Sequence, residues 1–259
     1  MDTGTLATAA TAFTDALGSA RIVELSHPLE EGIPTYPTHA KYFQNEWLSH
    51  GDIARMNQLV LGEHSGTHVD GPSHFPVEGP FAGTSIAEVP PLALVGPCAT
   101  IRVDPPLEPN GMLPAERILD WEHENGSLRP GDIVFMDFGW APGRWALGTR
   151  GFAHLGEWPG LSREAAELLR DRGVRAVGTD CISLDSEDGG RGELPAHFVL
   201  LSQGILIIEN VAQLDRLPPR AFVMGLPLPI VGGTGSPLRL LAAFDDSAVA
   251  DDGTREAAR

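Results

Sequence analysis

Apolar residues in this chain fall into short runs rather than long stripes. Ile133-Val134-Phe135-Met136 and Ile205-Leu206-Ile207-Ile208 are each unbroken. Runs of that length, rich in β-branched and aromatic residues and bounded by glycine, predict strands buried on both faces. Arg21–Leu25 and residues 56–63, 174–178 and 221–228 predict further strands, and Leu92–Val103 a strand pair around Gly96-Pro97. Elsewhere the pattern turns helical. Pro114 near the first position and Gly126 just past the last bracket a helix over 114–125. Ser162 as N-cap, the stripe Ala165, Leu168 and Leu169, and Gly173 at the end mark a second over 162–172. Pro195 opens a third over 195–203, which places His197 in its first turn. Helix 162–172 followed by strand 174–178 is an α/β unit.

Proline and glycine punctuate the rest. Residues 26–37 and 75–90 are loops, the second with a short turn at 85–88. Residues 139–160 carry Trp140, Trp145 and Trp158 among glycines and prolines, an irregular segment that forms either an active-site lid or a surface loop. Residues 184–193 are an acidic, Gly-rich loop, 211–217 a short turn or helix, and 238–244 a strand or helix. Residues 1–20 are expected to be a flexible N-terminal arm, a frayed helix or disordered, and 245–259 an acidic disordered tail. No repeat or linker divides residues 21–244, so one domain is expected there.

Composition narrows the function. The 259 residues carry a formal charge of −17, the wrong sign for a nucleic-acid partner or an anionic membrane. Cys98 and Cys181 are far apart and no Cys-x-x-Cys occurs, which fits a reducing cytoplasm rather than a disulfide framework. Residues 1–20 lack the basic start of a signal peptide, and no apolar run reaches the ~20 residues that span a bilayer.

The chemistry concentrates in His64-Ser65-Gly66-Thr67-His68-Val69-Asp70-Gly71-Pro72-Ser73-His74-Phe75. His64, His68, Asp70 and His74 all occupy even positions, and alternate residues of an extended chain share a face. Gly66, Thr67, Val69, Gly71 and Pro72 disfavour a helix. Imidazole and carboxylate donors at this spacing suit Zn²⁺ or Mn²⁺. Glu209 ends a buried apolar run, where an unpaired carboxylate costs several kcal/mol by roughly estimated desolvation. It and His197 are the natural distal partners of the cluster. Asp180, at the end of a strand, either holds a histidine or caps a turn. Cys181 reads as a small packed hydrophobe. Gly232-Gly233-Thr234-Gly235-Ser236-Pro237 lacks the Lys-Ser/Thr of a phosphate-binding loop, which argues against a nucleotide. Tyr36 and Trp47 offer aromatic surface to a pocket, or ordinary packing.

These residues resemble the signature of the metal-dependent cyclase superfamily, which includes bacterial kynurenine formamidases (arylformamidases) and isatin hydrolases. The resemblance runs in order through Ser26-His27-Pro28-Leu29, Tyr36-Pro37, Pro159-Gly160-Leu161-Ser162, Gly178-Thr179-Asp180, the His197…Glu209 pair and Gly235-Ser236-Pro237. It implies an α/β protein with a swivelling β/β/α cyclase-like fold, a mixed sheet flanked by helices, assembled as a homodimer or homotetramer. It implies one or two ions: His64, His68 and Asp70 on the first, with Asp70 bridging to a second held by His197 and Glu209. His74 matches the family's proton donor and acceptor, and Tyr36 a substrate-contacting aromatic that is often Trp in formamidases. The expected reaction is hydrolysis of a C–N bond in a small aryl formamide, amide or lactam by metal-activated water. A non-hydrolytic cyclase or dehydratase using the same metal as Lewis acid, and a metal-binding protein without turnover, are the alternatives.

Overall fold

In a computed structural model, which describes residues 3–47, 53–54, 56–190 and 193–245, the apolar runs become the centre of one sheet. The chain starts with helix α1 (Thr3–Ser19), the helical alternative for this region, and strand β1 (Arg21–Glu24). Then come β2 (Phe43–Trp47), β3 (Met56–Val60), β4 (His68–Asp70), β5 (Val95–Arg102) and β6 (Met112–Leu113). Helix α2 (Ala115–Asn125), β7 (Ile133–Asp137), β8 (Gly160–Leu161), α3 (Arg163–Asp171) and β9 (Ala176–Thr179) follow. Helices α4 (Glu187–Gly190) and α5 (Pro195–Leu201) precede β10 (Leu206–Glu209), β11 (Arg220–Gly225), β12 (Gly235–Pro237) and β13 (Leu240–Phe244). The expected acidic tail lies, beyond Asp245, outside the described residues.

Nine strands form a mixed sheet in the order β1-β13-β11-β5-β7-β9-β10-β4-β12. The middle four, β5 to β10, run parallel and the flanks antiparallel. Parallel strands are covered on both faces, which is why their sequences read as unbroken apolar runs. Period two splits those runs between two cores. Val134, Met136, Val177 and Ile207 pack with Ile118, Leu169 and Leu200 of α2, α3 and α5. Ile133, Phe135, Ala176 and Ile208 pack on the other side with Val23, Val69, Leu240 and Phe244. These last four come from strands near both ends of the order, so the sheet curls around the second core.

The strand pair expected at 92–103 is a single strand, β5. Its partner β7 begins opposite Cys98, so the missing N–H of Pro97 falls where β7 has not yet joined. Strand β2 was not expected. It pairs with β3 as a separate ribbon whose residues are all exposed, and no burial pattern marks such a strand in sequence. Trp47 lies on that ribbon at 55 % exposure, outside either core. Cys98 and Cys181 are free and buried, and burial pushes the Cys98 thiol up to about 12. Among the described residues no helix is long and apolar enough to cross a membrane.

Candidate metal centre

Strand register assembles the site. Antiparallel pairing of β4 with β10 sets Glu209 opposite His68 and Ile207 opposite Asp70. Val69 and Ile208 alternate into the second core, so His68, Asp70 and Glu209 share the helix-covered face. The first turn of α5 brings His197 there. The extended stretch expected over the whole motif is only three residues long. His64 lies in the turn before β4, and His74 ends a 3-10 turn, Pro72–His74, after it.

Four donors then form a ring. His68 Nε2 stands 3.3 Å from Asp70 Oδ1 and 3.5 Å from Glu209 Oε2. His197 Nε2 stands 3.5 Å from Asp70 Oδ2 and 3.4 Å from Glu209 Oε1. Ligands about 2.0–2.2 Å from a tetrahedral ion are separated by about 3.3–3.6 Å. All four residues are buried, and His68 Nε2 and Asp70 Oδ2 have no hydrogen-bond partner. His68, Asp70 and Glu209 bring one donor atom each within 4.8 Å of one another, and with orphaned donor atoms among them they fit a divalent cation; His197 approaches the other oxygens of the same two carboxylates. On the other side of Asp70, His64 Nδ1 lies 2.6 Å from Oδ1, and His74 completes a second candidate group. The geometry thus sets His68 with Glu209 and His197, and His64 with His74, around a shared Asp70.

Electrostatics agree with a site built for positive charge. Burial works against charge on Asp70, His197 and His68, yet contacts within the cluster outweigh it. Asp70 is held well below the usual carboxylate range by His64, which lies within hydrogen-bond distance, and by the nearby imidazoles of His197 and His68. Asp185, Asp70 and Glu209 raise His197 well above an ordinary imidazole, and Asp70 and Glu209 raise His68. His74 moves the other way, to about 4, chiefly through burial, with His64 and His197 opposing its charge despite Asp70. Its ring stacks on His64 at 3.9 Å.

The outer nitrogens are anchored. His68 Nδ1 donates to the Gly66 carbonyl at 2.9 Å and His197 Nδ1 to Asp185 at 2.6 Å, which turns both Nε2 lone pairs inward. Asp185 also accepts the N–H groups of Ala196 and His197. Glu209 Oε1 accepts the Leu184 N–H. His64 Nε2 meets Thr234 Oγ1 at 2.9 Å, and that hydroxyl donates to Glu63. Gly235 is required here, because a Cβ would sit 2.6 Å from His64 Cε1. The Gly-rich 232–237 segment is therefore a wall against His64.

Asp185, Thr234 and Glu63 escaped the sequence reading. Asp185 was visible only as one acid in the 184–193 loop; ten residues before Pro195, it lies outside the local capping pattern, whose position Leu194 occupies. His39 was missed too. Its ring lies 5.3 Å from His64 and 6.3 Å from His74, and no spacing ties it to the motif. Tyr36 is one ring further out, 5.2 Å from His39 and edge-on to Trp158 at 6.1 Å. Among the described residues Asp180 holds no histidine. Its carboxylate accepts the N–H groups of Phe138, Trp140 and Ala141, pinning the start of the aromatic segment. That segment reaches one support of the site, since Trp158 Nε1 donates to the Asp185 carbonyl; elsewhere Trp145 stacks on His27, outside the metal centre.

A curled mixed sheet carrying paired donor groups around one aspartate defines a class of α/β proteins with a divalent-metal site. The Cyclase family model matches residues 23–186, and the chain belongs to that family. It is 32 % identical over 207 residues to an isatin hydrolase of Roseibium aggregatum, covering 76 % of this chain and 78 % of that one. It is 31 % identical over 188 residues to a kynurenine formamidase of Salinibacter ruber, covering 71 % and 77 %. The solved isatin hydrolase A of Labrenzia aggregata, bound to benzyl benzoate, superposes with a TM-score of 0.81 at 28 % identity, covering 93 % of this chain and all of that one.

Proposed function

We propose that this protein is a metal-dependent hydrolase that cleaves the C–N bond of an aryl formamide, amide or lactam. The ring of His68, Asp70, Glu209 and His197 carries the reading, with His74 beside it. His68, Asp70, Glu209 and His197 would hold Zn²⁺ or Mn²⁺, with His64 as a further ligand of one or a second ion, and the metal would supply acidified water and Lewis-acid polarisation. The chain's own residues do the rest. Asp185 and the Gly66 carbonyl keep two imidazoles presenting Nε2. His74, whose ring nitrogens have no hydrogen-bond partner among the described residues, takes the proton of the attacking water. It then returns that proton to the departing nitrogen, which leaves as a neutral amine once the acyl carbon has gained the water oxygen. Tyr36, reached through His39, supplies the aromatic contact to a small aryl substrate. The named activities of the related isatin hydrolase and kynurenine formamidase support this substrate class.

We place the enzyme in the cytoplasm as a homodimer or homotetramer. Phe43, Trp47, Met56 and Val60 are exposed on one face of the β2–β3 ribbon, which alone is marginal in water and gains from a covering partner. Light scattering after gel filtration measures the assembly. Activity is tested on N-formylkynurenine and isatin, before and after chelation and with Zn²⁺ or Mn²⁺ restored. Metal-dependent cleavage of either is expected. Inactivity on both with metal stoichiometrically bound refutes the substrate class, and failure to bind either metal refutes the site.

A further inference from the structure

We propose that Asn210 and His154 are positioning residues of the metal centre, and that through them the aromatic 139–160 segment fixes His68. The inference rests on the metal-centre reading above. Asn210 directly follows Glu209 and adopts a left-handed backbone, φ 56°, a conformation asparagine tolerates better than most residues. Every polar group of this buried residue is engaged. Its backbone N–H donates to the Cys181 carbonyl, and its own carbonyl accepts the Thr67 hydroxyl at 2.6 Å. Its Nδ2 donates to the Gly66 carbonyl at 3.0 Å. That same carbonyl accepts Nδ1–H of His68.

The amide orientation decides the rest. Since Nδ2 faces Gly66, Oδ1 faces His154, 2.9 Å from its Nε2. Oδ1 only accepts, so His154 carries its proton on Nε2 and leaves Nδ1 bare, in accord with a buried Nδ1 that has no partner. The tautomer of His154 is thus relayed through one amide to the carbonyl that sets the tautomer of His68. His154 is fully buried within the 139–160 segment, its ring edge-on to Trp145 at 5.2 Å and its carbonyl accepting Trp140 Nε1. The segment is therefore a rigid brace on a metal ligand, joined by hydrogen bonds rather than by packing alone.

The test separates positioning from plain stability. Asn210→Gly keeps the left-handed backbone and its carbonyl but deletes the amide, and His154→Phe keeps the ring but deletes the donor. His27→Phe changes the same aromatic stack outside the relay. Zn²⁺ and Mn²⁺ affinities by chelator competition are measured beside the melting temperature of each metal-free protein. The ¹⁵N imidazole shifts of His68 are recorded metal-free at pH 9. Asn210→Gly is expected to bind metal about 10–100-fold more weakly, His154→Phe to lose less, and His27→Phe to match the wild type. His68 should be a single Nδ1–H tautomer in the wild type and a mixture in Asn210→Gly. Lower melting temperatures with unchanged metal affinity and an unchanged His68 tautomer overturn the proposal. A wild type that binds no metal yet shows the tautomer change refutes the metal reading and leaves the relay standing.

Discussion

Asp185→Asn tests the support of His197 by changing one atom. Asp185 is 1 % exposed, and its oxygens take three donors. Oδ1 accepts the Ala196 N–H at 2.8 Å; Oδ2 accepts the His197 N–H at 3.1 Å and its Nδ1–H at 2.6 Å. An amide offers one oxygen. If that oxygen stays with His197, the new NH₂ faces the Ala196 N–H. If it stays with Ala196, the NH₂ faces both donors of His197. Either way donors confront one another in a buried place, and a charged acceptor has become neutral. A hydrogen bond to a charged group contributes about 1.5–3 kcal/mol, so the metal-free protein should lose about 2–3 kcal/mol.

The second orientation has a chemical consequence. His197 relieves the clash by moving its proton to Nε2, the nitrogen that faces Asp70 and Glu209. A protonated Nε2 offers no lone pair to an ion. Metal affinity should fall about 10–100-fold, which is about 1.4–2.7 kcal/mol. Chelator competition with Zn²⁺ and Mn²⁺ measures the second loss, and urea unfolding of metal-free protein the first. If affinity stays within about twofold of wild type while stability falls by the amount worked out from the hydrogen bonds, Asp185 merely caps α5 and the tautomer argument is wrong.

His74→Ala is expected to keep metal at the His68–Asp70–Glu209 group and lose nearly all turnover; a kcat near wild type removes His74 as the proton carrier. Saturating metal should raise the melting temperature, since an ion at 100 times its Kd stabilises by about 2.7 kcal/mol, and an unshifted calorimetric transition argues against a folded-state site. Acid should destabilise the fold through His154, which burial, its largest influence, pushes down to about 4. Its folded-state value lies below the unfolded one near 6.5, so the neutral form is favoured on folding. That stability is fully present above pH ~6.5 and is lost as pH falls toward 4, about 3 kcal/mol in all. Urea titrations of wild type and His154→Phe across this range measure it, and identical pH slopes in the two proteins refute the assignment.

What could be read from sequence follows the range of the interactions. Buried parallel strands announce themselves locally, because two covered faces leave no polar alternation, and β7 and β10 stand where their apolar runs lie. The helices at 114–125 and 162–172 carry their own stop signals, and Ser162 does accept the Ala165 N–H as an N-cap. The exposed β2 strand has no such signature, and β5 looked broken at Gly96-Pro97 because only the neighbouring strand shows that Pro97 precedes the β7 pairing. Period two correctly linked His68 with Asp70. It could not say that His64 leaves the strand, since the left-handed turn at Gly66 (φ 63°) breaks the alternation before β4 begins.

The site itself divides the same way. Its acidic and imidazole donors were legible because their chemistry is unusual for buried positions: a carboxylate ending an apolar run wants a cation wherever it occurs. The residues that aim those donors were not legible. Asp185, Asn210 and Thr234 are ordinary polar residues whose role exists only once the sheet has curled. Asn210 comes next after Glu209 in sequence, yet its partners Gly66 and His154 are 144 and 56 residues away. Glu209 reaches His68 across the β4–β10 register while Asn210 reaches the Gly66 anchor of the same histidine. One two-residue step at the end of β10 therefore serves both sides of one imidazole: the Glu209 carboxylate stands 3.5 Å from the inner nitrogen, and Asn210 shares the carbonyl that holds the outer one. A shift of that strand by a single residue would lose both contacts together, so the pairing that completes the sheet and the geometry that readies the metal site stand or fall as one.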